Sequence, residues 1–272
     1  MIVLQEWIGF LLLPLSLFGT VCNWMVIILS IRSKSFKHAF GYLTANQAIG
    51  DALISTIFLF YISPMIITQD GFLMQYSKHF GFILVIAYDL STHSHFLISL
   101  NRFLACYVPL IYEVVFSSCV TVCILPFTWL YSIVATIVII IIFDCQFYYD
   151  PNHVLFLFRT NSFYCKTLTN KIRSVNRKIT HTVVDQQSLL KRKRDMQYLK
   201  QTVLQGFAFS VELVTYFLIS PHVSNKILKF MISIFAWCFI HATDGFLTIF
   251  FNSEFHRILQ GKHETINRSR ST

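Results

Sequence analysis

Six stretches of this chain are each long and apolar enough to cross a bilayer: Ile8–Ile31, Gly41–Thr68, His79–Leu100, Val114–Phe143, Gln201–Ser220 and Ile227–Phe251. A span needs about 20 mostly apolar residues. Backbone facing lipid must satisfy its hydrogen bonds within its own segment, so these runs predict helices. A β-barrel would instead show alternating segments of about ten residues, whereas Ile133–Phe143 is apolar without a break. Only 13% of the residues are charged, against roughly 25% in soluble domains. The fold class expected is therefore all-α, a polytopic transmembrane helix bundle. Met1–Phe18 carries no basic residue ahead of its apolar core, and that core continues to Ile31. It reads as the first span rather than as a cleaved signal peptide.

Loop charges give the orientation. Arg32–Phe40 carries Arg32, Lys34 and Lys37 with no acid, while Asp70–Lys78 carries one charge of each sign. The positive-inside rule places the first of these loops in the cytoplasm and the N-terminus outside. The net charge of +9 then reflects cytoplasmic loops rather than a nucleic-acid partner. Residues 144–200 form a polar and basic region that contains Lys191-Arg192-Lys193-Arg194 shortly before the next span. With six spans, both this run and the basic tail would lie outside, against the charge rule. One further span between Phe143 and Lys191 repairs both placements, yet none is visible: His153–Leu168 is short and carries Arg159 and Lys166. A central Arg or Lys costs about 2.5–3.5 kcal/mol on insertion. The expectation is a seven-helix ancestor whose fifth helix is missing, with residues 1–262 as the transmembrane domain and 263–272 as a cytoplasmic tail.

Ionisable residues inside spans are costly and are functional candidates by default. Here they are Asp51, Asp89, Glu212 and Asp244. Asp51 and Asp244 fall near mid-depth of their spans, as does the polar Asn23. Asp89 and His93 are four apart and share a helix face, with His95 read as pointing elsewhere. Two ligands do not make a metal site, so structural or water-bonding roles are expected for these three. Five cysteines, Cys22, Cys106, Cys119, Cys123 and Cys238, lie in or beside spans and read as packing residues. Cys145 and Cys165 lie together outside the spans and can form a disulfide if that region faces an oxidising compartment. No phosphate loop, Gly-x-Gly-x-x-Gly, His-Glu-x-x-His or nucleophile elbow occurs, so no enzyme is expected.

Several motifs fall on this topology together. The first span contains Gly19-x-x-x-Asn23 and the second Ala48-Ile49-Gly50-Asp51. The third ends Asn101-Arg102-Phe103-Leu104-Ala105 and continues to Pro109-Leu110-x-Tyr112. The last ends Asp244-Gly245 and then Phe251-Asn252-Ser253-Glu254-Phe255-His256-Arg257. This set resembles the rhodopsin-like seven-transmembrane G-protein-coupled receptors. Asn-Arg-Phe, Phe147-Tyr148-Tyr149-Asp150-Pro151 and Phe251-Asn252-Ser253-Glu254-Phe255 are similar to the nematode serpentine chemoreceptors of class x (Srx).

The resemblance implies a chemosensory receptor of the seven-helix type, multi-pass in the plasma membrane of sensory cells. It would bind an extracellular small molecule and signal to a heterotrimeric G-protein, with lipid as its surroundings and no nucleic acid as partner. Asn101, Arg102, Phe103, Pro109 and Tyr112 are implied in coupling and activation. Asn23, Asp51 and Asp244 are implied as an intramembrane polar switch, with no cofactor beyond a sodium ion at Asp51. Tyr88, Asp89 and Glu212 are candidates for the ligand pocket. The family's usual disulfide to the top of the third helix has no cysteine here, so a bridge would be local, such as Cys145 to Cys165. Asn101 replaces the acidic neighbour of the arginine and Gly245 stands where proline is usual. Two other readings are a truncated remnant that no longer signals, motivated by the missing helix, and a transporter or channel. The latter commonly shows inverted repeats, and none is visible between the halves of this chain.

Overall fold

Polar punctuation between the apolar runs sets where each helix starts and stops. The computed structural model describes residues 2–33, 36–152, 154–158, 162–163, 165–167 and 193–260. Helix α1 is Ile2–Arg32. The His38 side chain accepts the Gly41 N–H and caps α2, Ala39–Thr68. Gln69 closes α2 in the left-handed conformation, and Asp70 accepts from the Phe72 N–H to start α3, Gly71–Tyr107. Pro109 opens the short α4, Pro109–Val115, at the position where a missing N–H costs least. Ser117 caps α5, Ser118–Ile142. Helix α6 begins at Lys193 and runs to His222 through a wider turn at Thr215–Ile219. Asn225 caps α7, Lys226–Phe251, and Asn252 caps α8, Ser253–Leu259. Six of these helices, α1, α2, α3, α5, α6 and α7, are long and apolar enough to cross a membrane.

Between α5 and α6 the chain forms a hairpin of β1, Phe147–Asp150, and β2, Leu155–Phe158, paired antiparallel with Phe147 opposite Phe158. A disulfide joins Cys145 to Cys165, with Cα atoms 5.1 Å apart. The hairpin enters one end of the bundle, where Phe147, Tyr149, Val154, Leu155 and Phe156 are buried with Trp237 and Phe230. Gly81 on α3 admits it, because a Cβ there would run into the Phe147 carbonyl oxygen. A second core at the opposite end gathers Val26, Phe36, Phe40, Leu43, Ile98, Phe116 and Phe255. Part of His153–Leu168, the best sequence candidate for an extra span, is thus strand β2 rather than membrane helix. The polar stretch 170–187 lies outside the described residues.

The two ends expose a parity in the path. Helix α5 starts beside the core that holds Phe116 and ends at the hairpin. Helix α6 contacts Thr248 through Gln205, then Tyr88 through Glu212, then the Phe156 carbonyl through Tyr216. Both helices therefore run toward the hairpin end, as alternate helices of a seven-helix path do. Of the five span cysteines, Cys22 and Cys238 pack inside, whereas Cys106, Cys119 and Cys123 lie on the outer surface of the bundle.

Candidate functional site

Mid-bundle polar residues come together from five helices. Asp51 on α2 and Asp244 on α7 are both buried. The Asp51 Oδ1 atom accepts from the Ser91 hydroxyl of α3 at 2.7 Å and lies 2.7 Å from Nδ1 of His241 on α7. The Asp244 Oδ2 atom lies 3.0 Å from Nε2 of His95 on α3. The Gln47 amide sits between the two pairs, donating to Asp51 Oδ2 and Asp244 Oδ2 at 3.4 Å each, and is 3.3 Å from His95 Nε2. Asn23 on α1 donates to the His241 carbonyl at 2.9 Å, and Gln205 on α6 donates to the Asp244 carbonyl at 3.2 Å. Buried charges persist only when paired and hydrogen-bonded, and these two His–Asp contacts supply that pairing across α2, α3 and α7.

Close backbone approach makes the cluster possible. A Cβ on Gly245 would meet the Asn23 side-chain oxygen and would lie 2.9 Å from the Asn23 backbone nitrogen. One on Gly19 would lie 2.7 Å from both Ala242 Cβ and Ser55 Oγ. Small residues at helix contacts are the usual means of bringing membrane helices together. Glycine at 245, in place of the usual proline, here serves the α1–α7 contact.

An aromatic layer separates the cluster from the hairpin. Tyr88 on α3 places its ring 5.4 Å from Phe209, 5.8 Å from Trp237 and 5.7 Å from His241. Its hydroxyl donates to Glu212 Oε2 at 3.1 Å. Trp237 in turn meets Phe147 of β1 at 6.1 Å. Contacts are thus unbroken from the hairpin through Tyr88 and His241 to Asp51.

The other end holds Arg102, whose guanidinium carbon lies 3.5 Å over the centre of the Phe40 ring of α2. Asn101 is buried, and neither atom of its amide has a hydrogen-bond partner among the described residues. Phe103 is exposed and Pro109 starts α4, where Tyr112 stacks on Phe116 with centroids 6.0 Å apart.

Among the residues singled out from sequence, Asn23, Asp51 and Asp244 meet in one cluster, and Tyr88 meets Glu212. Asp89 does not join that pair. It faces His93 at 3.5 Å, and the His93 ring packs against Tyr131 of α5. His95 was expected to point away from any site, and the structure corrects this: it reaches Asp244. His241 joins the cluster without having been marked by any motif, although an ionisable residue three positions before Asp244 on an apolar helix is itself a signal. Lys191 and Arg192 of the basic run, and the tail from residue 261 on, lie outside the described residues.

The comparisons agree with this architecture. The family model "Serpentine type 7TM GPCR chemoreceptor Srx" matches residues 13–174 and 167–252, two segments that meet in the region lacking a fifth span. Serpentine receptor class X 45 of Caenorhabditis elegans is 27% identical over 295 residues, covering 90% of this chain and 78% of that protein. Serpentine receptor class X-43 of the same organism is 27% identical over 265 residues, covering 86% and 80%. Squid rhodopsin superposes with a TM-score of 0.70 at 15% identity, over 96% of this chain and 85% of its own. The helix arrangement is therefore a rhodopsin-type fold, and the chain is a member of the Srx family of serpentine seven-transmembrane G-protein-coupled chemoreceptors.

Proposed function

We propose that the chain is a chemosensory receptor of the plasma membrane, with its N-terminus and hairpin outside. It binds a small molecule above Tyr88 and Glu212 and signals to a heterotrimeric G-protein at the Arg102 end. The observation that carries this reading is the continuous contact from Glu212 and Tyr88 to His241 and on to Asp51. A ligand that shifts Tyr88 changes the packing of the helices that His241 and Asp51 cross-link. It moves the equilibrium only by its differential affinity for the two packings. Asn101, Arg102, Phe103, Pro109 and Tyr112 form the coupling surface, and Asn23, Asp51 and Asp244 belong to the switch.

The test is G-protein nucleotide exchange in membranes containing the full chain, challenged with a panel of small water-soluble and volatile compounds. A ligand-dependent signal that is lost in both Arg102→Ala and Glu212→Ala is expected. Surface delivery with no response to any compound would overturn signalling. That outcome favours the second reading, a remnant that folds without coupling, which the sparse burial of α5 and α6 supports.

A further inference from the structure

The resemblance implies sodium at Asp51, and the donors around that residue do not fit it. Hard cations of this kind take oxygen ligands. Here the best-placed Asp51 oxygen is met by an imidazole nitrogen, and the Asp244 oxygen by another. Charge argues the same way. With both imidazoles neutral, as ligands must be, the two buried carboxylates carry two negative charges, which one divalent ion neutralises and one monovalent ion does not.

We infer that Asp51, His95, His241 and Asp244 form a buried site for a borderline divalent metal ion of the zinc class. Ligand atoms of Asp51, His241 and Asp244 all lie within 4.8 Å of one another. His95 Nε2, 3.0 Å from Asp244 Oδ2, supplies the fourth donor. Two imidazoles and two carboxylates are a donor set that suits zinc, with bonds of about 2.0–2.2 Å and four-fold coordination. Donors around such an ion stand about 3.3 Å apart by that geometry, so each His–Asp pair opens by a few tenths of an ångström while the two pairs draw together, Asp51, His241 and Asp244 from within 4.8 Å of one another and His95 following Asp244 inward. The ion takes the place of the protons that link the pairs. Two protons leave the site for solvent as it binds, the one shared by His241 Nδ1 and Asp51 and the one shared by His95 Nε2 and Asp244.

Other nearby groups are compatible. Ser91 already donates to Asp51, and its hydroxyl fixes that carboxylate as an outer-sphere partner fixes a ligand. The Gln47 amide is near three of the four ligands, and turning it over presents its oxygen instead of its nitrogen. His241 Nε2 is buried with no partner among the described residues. The tautomer with its proton on that nitrogen leaves Nδ1 free to coordinate.

Such an ion ties α2, α3 and α7 together and strengthens the packing that a ligand would have to change. In that role it deepens the switch reading, but its binding is measurable without any signalling assay, so the two fail separately.

The experiment is thermal unfolding of the full chain, purified in detergent with chelator, then dialysed at length against sodium chloride, choline chloride or low zinc chloride, since all four donors are buried. Zinc should raise the unfolding temperature, and sodium should match choline. Cobalt in place of zinc should give the visible absorption bands of a four-coordinate site with nitrogen ligands. His241→Gln and His95→Gln should each weaken apparent zinc affinity by at least about 10–100-fold, as loss of even a supporting group does. His93→Gln, at the surface pair with Asp89, should leave it unchanged. A sodium-specific rise, no response to zinc, or a zinc response kept in both His241→Gln and His95→Gln would overturn the inference. Should a histidine variant fail to fold, the cobalt spectrum of the unmodified chain decides alone: absence of the four-coordinate bands is fatal.

Discussion

Helices α2 and α7 bury 61% and 50% of their most apolar stretches in protein, while α5 and α6 bury only 17% and 22%. The difference divides the molecule into a tight half, α1, α2, α3 and α7, which holds the polar cluster, and a loose half facing outward. In the tight half, glycines let backbones touch, and carboxylates cross from helix to helix to imidazoles. In the loose half, Gly206 of α6 has nothing within 4 Å of where a Cβ would sit. Few described polar contacts tie α5 inward, foremost Trp129 Nε1 donating to Asn46 Oδ1 at 2.9 Å. The sequence lacks its fifth span between these two loosely held helices, so the gap and the exposed faces coincide.

The contrast can be broken at its strongest point first. Asp51→Ala leaves His241 and Ser91 without their buried partner, and is expected to cost about 3–5 kcal/mol. Thermal unfolding in detergent measures it, and a loss below about 1 kcal/mol would show that the cluster does not hold the tight half together.

Paired glycine substitutions sharpen the comparison. Gly245→Ala forces α1 and α7 apart and should destabilise by about 1–3 kcal/mol. Gly206→Ala meets no neighbour and should stabilise α6 by up to about 1 kcal/mol through helix propensity. Equal effects at the two sites would erase the distinction between the halves. Trp129→Phe removes the α5 tether and should cost about 1 kcal/mol, read in the same unfolding assay.

The smallest effect lies at the first turn of α2. Partial desolvation by its neighbours, chiefly, holds the His38 imidazole below the ordinary 6.5, and its Nδ1 accepts the Gly41 N–H at 3.1 Å. With a depressed folded value, the unfolded chain takes the proton first. Stability present above about pH 6.5 is therefore lost as pH falls below it. His38→Asn keeps a capping acceptor and should flatten this part of the pH profile between pH 7 and 5, measured as the unfolding temperature.

Much of the fold was legible because insertion is a local matter. The Ile133–Phe143 run specifies a spanning helix whatever its neighbours do. Asp51 and Asp244 stood out because a carboxylate in such a run is costly wherever it points. Their partners did not stand out. His95 meets a residue 149 positions away and His241 one 190 positions away, and helical periodicity relates only residues on one helix. The β-hairpin was hidden for a similar reason. Phe147–Asp150 and Leu155–Phe158 are too short to advertise strands, and they are buried by packing on Gly81, Trp237 and Tyr216 of distant helices.

By itself the sequence determined that this chain enters a membrane, where its six apolar helices lie, which loops carry positive charge and which carboxylates need a partner. Each of these follows from transfer free energies summed over neighbouring residues. Only the tertiary structure decided that α5 and α6 run in the same direction, that the hairpin fills one end of the bundle, and that two histidines from α3 and α7 meet Asp244 and Asp51. Those outcomes depend on how each helix is rotated and how closely it approaches the next. Contacts such as Gly19 on Ala242 and Gly245 on Asn23 fix that geometry between segments that are remote in the chain.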